Sequence, residues 1–166
     1  DFTDMIPKFL DTEDVPKFDV IFVDEAQDLS LIQWAMINKI EKDTDCDVWV
    51  AGDDDQAIFG WAGADVDSFI DYDAQEIPLK QSERVPSIIQ KTALNVINRI
   101  QDNRIDKEYF PKSESGQIYQ KYKLSDIDMS TGDWLILTRT KFLLKPIPTY
   151  LKKKGLFFNT TQGNSI

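Results

Sequence analysis

The stretch Phe18–Ser30, FDVIFVDEAQDLS, decides how the rest of this 166-residue chain is read. Its run Val20-Ile21-Phe22-Val23 is short, apolar and rich in β-branched residues, which predicts a buried strand over roughly 18–23. The run empties into Asp24-Glu25, with Gln27 and Asp28 close behind. In α/β folds ligands bind at the carboxyl ends of parallel strands, so these two acids are candidates for chemistry. The first can hold magnesium, largely through water, and the second can orient or deprotonate an attacking water. Alone, an Asp-Glu pair reads as a solvated acidic turn. The hydrophobic lead-in and the following Ala-Gln-Asp weigh against that.

A second strand, Val48-Trp49-Val50-Ala51, ends in Gly52-Asp53-Asp54-Asp55-Gln56. This places Asp53 and Gln56 beside Asp24 and Glu25 on a neighbouring strand end. A neutral amide such as Gln56 can sense a terminal phosphate and pass its state to the next turn. Between the strands, Ser30 is a candidate N-cap for a helix over about 31–42, with Leu31, Trp34, Ala35, Ile37 and Ile40 on one face. The turn Ala57–Gly63 carries Phe59 and Trp61, which either stack on nucleic-acid bases or cap the core. A short helix near 65–71 and a strand near 76–80 complete a strand–helix–strand–helix–strand order, the pattern of a parallel α/β sheet. Asp43, Asp45 and Asp47 alternate like the start of a calcium loop. Val48 where such a loop needs glycine, and Asp54 where it needs a bidentate Glu, exclude it.

Composition removes several kinds of chemistry. The chain has no His and one Cys, so Ser-His-Asp and Cys-His catalysis, histidine-ligated metals and a disulfide framework are all excluded. The lone Cys46 fits a reduced, cytoplasmic setting. With 42% hydrophobic residues and no apolar run near the ~20 residues of a membrane span, a globular protein without membrane contact is expected. The absence of Met at position 1 points to a piece of a longer chain. The net charge of −10 is unevenly spread: residues 1–75 hold 20 acidic and four basic side chains, residues 76–166 nine and 15. That asymmetry suggests two modules, one acidic and one mildly basic.

In the second half, Pro86 opens a helix predicted to run to about 102 through Ile88, Ile89, Ala93, Leu94, Val96, Ile97 and Ile100. Residues 102–116 read as a polar loop. Strands near 117–123 and 134–138, a helix over about 141–154 and a strand at 156–160 follow, with Gly155 as the helix stop. Arg84, in Gln81-Ser82-Glu83-Arg84-Val85-Pro86, places a fixed positive charge at the junction of the halves, within reach of a phosphate bound by the other module. Alone, an Arg at a helix start reads more often as a surface residue.

Taken in order, VDEAQDLS, AGDDDQAIFGWAGAD and QSERVPSII resemble helicase motifs II, III and IV of the superfamily 1 UvrD/Rep/PcrA DNA helicases. WLILTRTKFLLKPIPTYLKKKGLFF is similar to the strand–helix–strand that follows in their second motor domain. The resemblance covers nearly the whole chain. DEAQD followed by GDDDQ and then GW at this spacing is its specific part. It implies a RecA-like, P-loop NTPase fold: the later part of a first motor domain over 1–80 and the start of a second over 81–166. It also implies ATP and magnesium as cofactors, single-stranded and duplex DNA as partners, and 3′→5′ translocation.

By the same resemblance Asp24 coordinates magnesium and Glu25 is the general base. Asp53 and Gln56 complete the nucleotide site, Gln56 coupling the γ-phosphate to DNA. Phe59 and Trp61 contact single-stranded bases, Arg84 is an arginine finger and Arg139 a backbone contact. Two positions depart from the pattern: Glu83 stands where a Tyr stacks on adenine, and Ala62 where an arginine lies between Trp and Gly. No Gly-x-x-x-x-Gly-Lys-Ser/Thr occurs, so the 166 residues alone are expected not to turn over ATP without the rest of a parent helicase chain. The alternatives are a non-catalytic, helicase-derived nucleic-acid-binding or regulatory module, and a nuclease-like carboxylate site.

Overall fold

The computed structural model describes residues 4–100 and 104–160, and the backbone of 163–164. Two compact units divide between Ile118 and Tyr119. The first unit is built on a βαβ crossover: β1 (Val20–Val23), α2 (Leu31–Thr44) and β2 (Asp47–Val50), preceded by a short α1 (Met5–Leu10) that packs on α2. β1 and β2 pair in parallel with Val20 opposite Asp47 and Val23 opposite Val50. Two parallel neighbours need a long return connection, and α2 supplies it.

Local chemistry explains why α2 starts where it does. Ser30 has extended backbone, and its N–H donates to Gln33 Oε1 at 2.9 Å, so the side chain one turn in holds the entry. At the far end Asp45 takes a left-handed conformation (φ 54°) and stops the helix. Asp43 pairs with Lys39 at 2.8 Å, one turn away on the surface of α2.

Trp34 and Ile37 of α2 bury with Ala26 to form the core, and Val23, Leu29, Val48, Val50, Phe69 and Tyr72 pack around them. Only one face of the β1–β2 pair is covered in this way. The expectation of fully buried strands is therefore corrected: both strands alternate exposed and half-buried, and Phe22 and Trp49, register partners, stack at 6.4 Å while 78% and 54% exposed. Among the described residues, α2 covers one face of this two-stranded sheet and leaves Phe22 and Trp49 exposed on the other.

After β2 come two short 3₁₀ turns, Asp54–Gln56 and Gly60–Ala62, and then α3 (Val66–Ile70), capped by Asp65, whose Oδ2 accepts the Ser68 N–H at 3.0 Å. Gly63 has φ +96°, a conformation that a side chain would strain.

The strand expected at 76–80 lies later, at β3 (Gln81–Pro86). Pro78 lacks the donor that a ladder needs, and the partner strand β4 (Phe110–Lys112) faces 81–86 instead. β4 pairs in parallel with β3 inside the segment read as a featureless loop, and Arg84 lies on a strand rather than at a helix start. α4 (Ser87–Ile97) follows Pro86 as expected but ends earlier, with the Asn98 N–H closing onto Leu94 O. Residues 101 and 102 of its expected span lie outside the described residues.

The rest of the chain departs further from expectation. Residues 117–123 and 134–138 form no strand, and their apolar side chains Tyr122, Leu135 and Leu137 are exposed. The single helix expected over 141–154 is two, α5 (Lys141–Leu144) and α6 (Pro146–Lys153), because Pro146 has no N–H to continue α5. The final strand shrinks to β5 (Asn159–Thr160), antiparallel to β6 (Gly163–Asn164). No helix among the described residues is long and apolar enough to cross a membrane.

Trimming the core and trimming the exposed surface should differ in effect. Ile37→Val should lower the unfolding free energy by about 1 kcal/mol in urea titration, whereas Leu79→Ser, at an 85% exposed position, should change it by less than about 0.5 kcal/mol.

Candidate functional site

Both carboxyl stations form at the ends of β1 and β2, and the ladder continues into them. Ala51 N–H donates to Val23 O at 2.7 Å and Ala26 N–H to Ala51 O at 3.0 Å. The chain turns sharply at Glu25, which is left-handed (φ 52°, ψ 41°). For a residue with a side chain that conformation is uncommon, and it lies at the position expected to act on water. Asp24 Oδ1 accepts the Glu25 N–H at 2.9 Å, bracing the turn from within.

The link between the stations is Gln27, only 1% exposed. Its Nε2 donates to Glu25 Oε2 at 2.7 Å and its Oε1 accepts the Asp53 N–H at 3.0 Å. One buried amide therefore holds the first station's Glu and the second station's backbone together. Gly52 is required beside it, since a Cβ there would come within 2.7 Å of Gln27 Oε1 and 2.9 Å of the Phe69 ring. Gln56 Nε2 in turn donates to Asp53 Oδ2 at 2.7 Å. Asp24, Glu25, Asp53 and Gln56, chosen from the sequence, thus form one connected group.

The other candidates of the first unit lie outside these hydrogen bonds. Phe59 and Trp61 lie on the turn after Gln56, with ring centroids 6.4 Å apart and Trp61 84% exposed. Arg84 is exposed on β3, and among the described residues no hydrogen bond or ion pair ties its guanidinium to the acidic group. Arg139 belongs to the second unit, just before α5.

Four residues that the sequence reading passed over close around the acidic turn. Arg104 grips Asp55 with Nε on Oδ1 at 2.6 Å and Nη2 on Oδ2 at 3.1 Å. Lys107 Nζ donates to Asp53 Oδ1 at 2.6 Å and also bonds Asp54. Tyr109 OH donates to Asp53 Oδ1 at 3.3 Å, and the Ile105 N–H bonds Asp54 Oδ2 at 2.8 Å. These partners lie in a segment read as a polar loop. The only signal in the sequence was the opposite charge of the two halves.

Burial by itself would raise the Asp53 carboxyl, but the Gln56 amide, Lys107 and the Asp55 N–H hold it below its usual range. Burial would likewise lower the Lys107 ammonium, and bonds to Asp53 and Asp54 keep it above its usual value. Desolvation raises the Tyr109 hydroxyl.

Magnesium takes one or two carboxylates and fills its remaining positions with water and phosphate oxygens. The residues present fit that demand. Among the described residues no three His, Cys, Asp or Glu converge as a metal cage, while Asp24 sits exposed at the strand end. Asp28 Oδ1, in the same turn, is buried without a hydrogen-bond partner among the described residues.

A βαβ unit with acidic side chains at two adjacent parallel strand ends places those acids where α/β folds bind ligands. Residues 10–78 match the profile of the UvrD/REP helicase N-terminal domain. The chain is 36% identical over 130 residues to DNA helicase II of Haemophilus influenzae, covering 72% of this chain and 18% of that protein. It is 34% identical over 111 residues to DNA helicase II of Escherichia coli, covering 64% and 15%. With the ATP-dependent DNA helicase PcrA of Bacillus subtilis it shares 28% over 171 residues, 89% of this chain and 23% of the relative. The chain is a UvrD/Rep/PcrA-like superfamily 1 helicase sequence, and it spans less than a quarter of the length of these relatives.

Replacing Gln27 by Leu would leave the Asp53 N–H without its acceptor and release Glu25. Gln27→Leu should cost about 1–3 kcal/mol in denaturant unfolding, with faster amide exchange at Asp53. The charge cluster also sets a pH response. Because Asp53 is depressed on folding, its contribution is complete above the ordinary carboxyl value of about 4 and is lost as pH falls below it. Lys107 is raised, so its contribution holds below about 10.4 and fades as pH rises above that. Unfolding free energy should therefore fall on acidification below about pH 4, and less steeply in Asp53→Asn.

Proposed function

We propose that this chain is the central part of an ATP-dependent DNA helicase that couples ATP hydrolysis to 3′→5′ translocation on single-stranded DNA and unwinding of duplex. The observation that carries the reading is the Gln27 bridge, which ties Glu25 to the Asp53–Gln56 turn within the segment matching the helicase domain. Residues 1–80 are the later part of a RecA-like first motor domain and 81–166 the start of the second. This assignment rests on motif order.

In this reading Asp24 holds magnesium, which when bound to ATP neutralises charge on the transferring phosphate. Glu25 orients and deprotonates the attacking water. Gln27 already occupies Oε2, which leaves Oε1 for that water and fixes the carboxyl's direction. Gln56 contacts the γ-phosphate and, through the turn it opens, moves Phe59 and Trp61. The exposure of those rings suits stacking on single-stranded bases. Arg84, exposed and unpaired among the described residues, is available to a phosphate as an arginine finger, and Arg139 contacts the DNA backbone. The lone buried Cys46 fits a reduced, cytoplasmic setting.

A second reading, a nucleic-acid-binding or regulatory module that does not hydrolyse ATP, is favoured by Glu83 and Ala62 and by the absence of a Gly-x-x-x-x-Gly-Lys-Ser/Thr sequence. One assay separates the two. A chain extended with an upstream phosphate-binding loop should show ATPase activity stimulated by single-stranded DNA. Glu25→Gln should lower it by about 10²–10⁴-fold, and the 166 residues alone should show none. Undiminished hydrolysis in Glu25→Gln would remove the role given to Glu25. An extended chain that binds DNA without turnover would establish the module reading.

A further inference from the structure

The segment 104–112 does two things at once. Its first part grips the acidic turn: Arg104 is bidentate on Asp55, and Lys107 spans Asp53 and Asp54. Its last part is β4, which pairs with β3, and the junction is a backbone bond from the Phe110 N–H to Lys80 O at 2.8 Å. β3 is the strand that carries Arg84.

Side-chain exposure shows that these ion pairs are not surface decoration. Lys107 is 15% exposed, Arg104 16%, Asp55 10% and Asp54 2%. At such burial, salt screens a pair only weakly, and the loss of one partner leaves the other desolvated. Two-point Arg–carboxylate contact also fixes orientation, which a single ammonium contact does not. The backbone takes part as well, through the Ile105 N–H on Asp54.

We propose that Arg104 and Lys107 are positioning residues that tie the Asp53–Gln56 turn to the strand bearing Arg84, so that in the state seen here the two sides of the nucleotide site are held together. The proposal rests on the helicase reading, in which Gln56 and Arg84 address the same phosphate. Neither Arg104 nor Lys107 touches the nucleotide. They act through the turn on one side and through β4 and β3 on the other.

The tie is tested by amide hydrogen exchange on the 166-residue chain, with no nucleotide. Two amides report its ends: Gln56 N–H, bonded to Asp53 O at 2.8 Å, and Phe110 N–H, bonded to Lys80 O at 2.8 Å. Trp34 N–H, bonded to Ser30 O at 3.0 Å in α2, reports global unfolding. Lys107→Met combined with Arg104→Gln should speed exchange at both reporters by about tenfold or more with Trp34 unchanged, whereas Lys107→Arg should stay within about twofold of wild type. Unchanged exchange at either reporter overturns the tie. Should the double variant also lose protection at Trp34, Arg104→Lys decides the matter. It keeps the charge and gives up the two-point contact, and faster exchange at both reporters is again expected, while no change at Phe110 overturns the tie.

The positioning role is read in the extended, ATP-hydrolysing chain. Lys107→Met should lower kcat by about tenfold or more while KM for ATP stays within about twofold, and Lys107→Arg should restore kcat. A change confined to KM overturns the positioning role. Absent turnover in the wild-type extended chain would refute the helicase reading, while the exchange experiment decides the tie independently.

Discussion

The buried amide of Gln27 is the contact on which the acidic site depends. It is a neutral side chain with one donor arm and one acceptor arm, and the fold uses both: the donor on Glu25, the acceptor on the Asp53 backbone. A carboxylate in its place would repel Glu25, and an apolar residue would leave a backbone donor without its partner. An amide joins two strand ends rich in acids without adding another charge. Gly52 and the left-handed turn at Glu25 follow from that bridge, the first making room for it and the second bringing Glu25 within its reach.

Around this link the first unit shows how a strongly acidic sequence tolerates its own charge. The turn after β2 places three consecutive Asp residues together, and in isolation they would repel one another. The chain answers with Arg104, Lys107 and Tyr109 from a distant segment, so the charge asymmetry between its halves resolves into specific pairs. Asp24 and Glu25, by contrast, remain exposed, and no cation pairs with either among the described residues. The acidic group thus has one neutralised strand end and one open strand end.

How much was legible beforehand varies with the range of the interaction involved. The crossover β1–α2–β2, the entry of α2 at Ser30, the cap at Asp65 and the grouping of Asp24, Glu25, Asp53 and Gln56 all follow from local patterns: apolar runs, capping residues and strand ends. Misplaced elements were those that needed a partner. Residues 117–123 and 134–138 have the alternation of strands yet form none, and 81–86 became a strand because 110–112 lies beside it. Pro146 was visible in the sequence, yet periodicity alone carried the helix reading straight through it.

By itself, then, the amino-acid sequence determined the acid-bearing parallel βαβ unit and its kinship with superfamily 1 helicases, because both are written in contiguous motifs whose spacing is local. Only the tertiary structure decided which residues hold that unit's acidic end in place. Gln27 reaches a residue 26 positions away and Lys107 one 54 positions away. Hydrogen bonds and ion pairs over such separations depend on where the folded backbone brings the groups, and no periodicity in the chain encodes it.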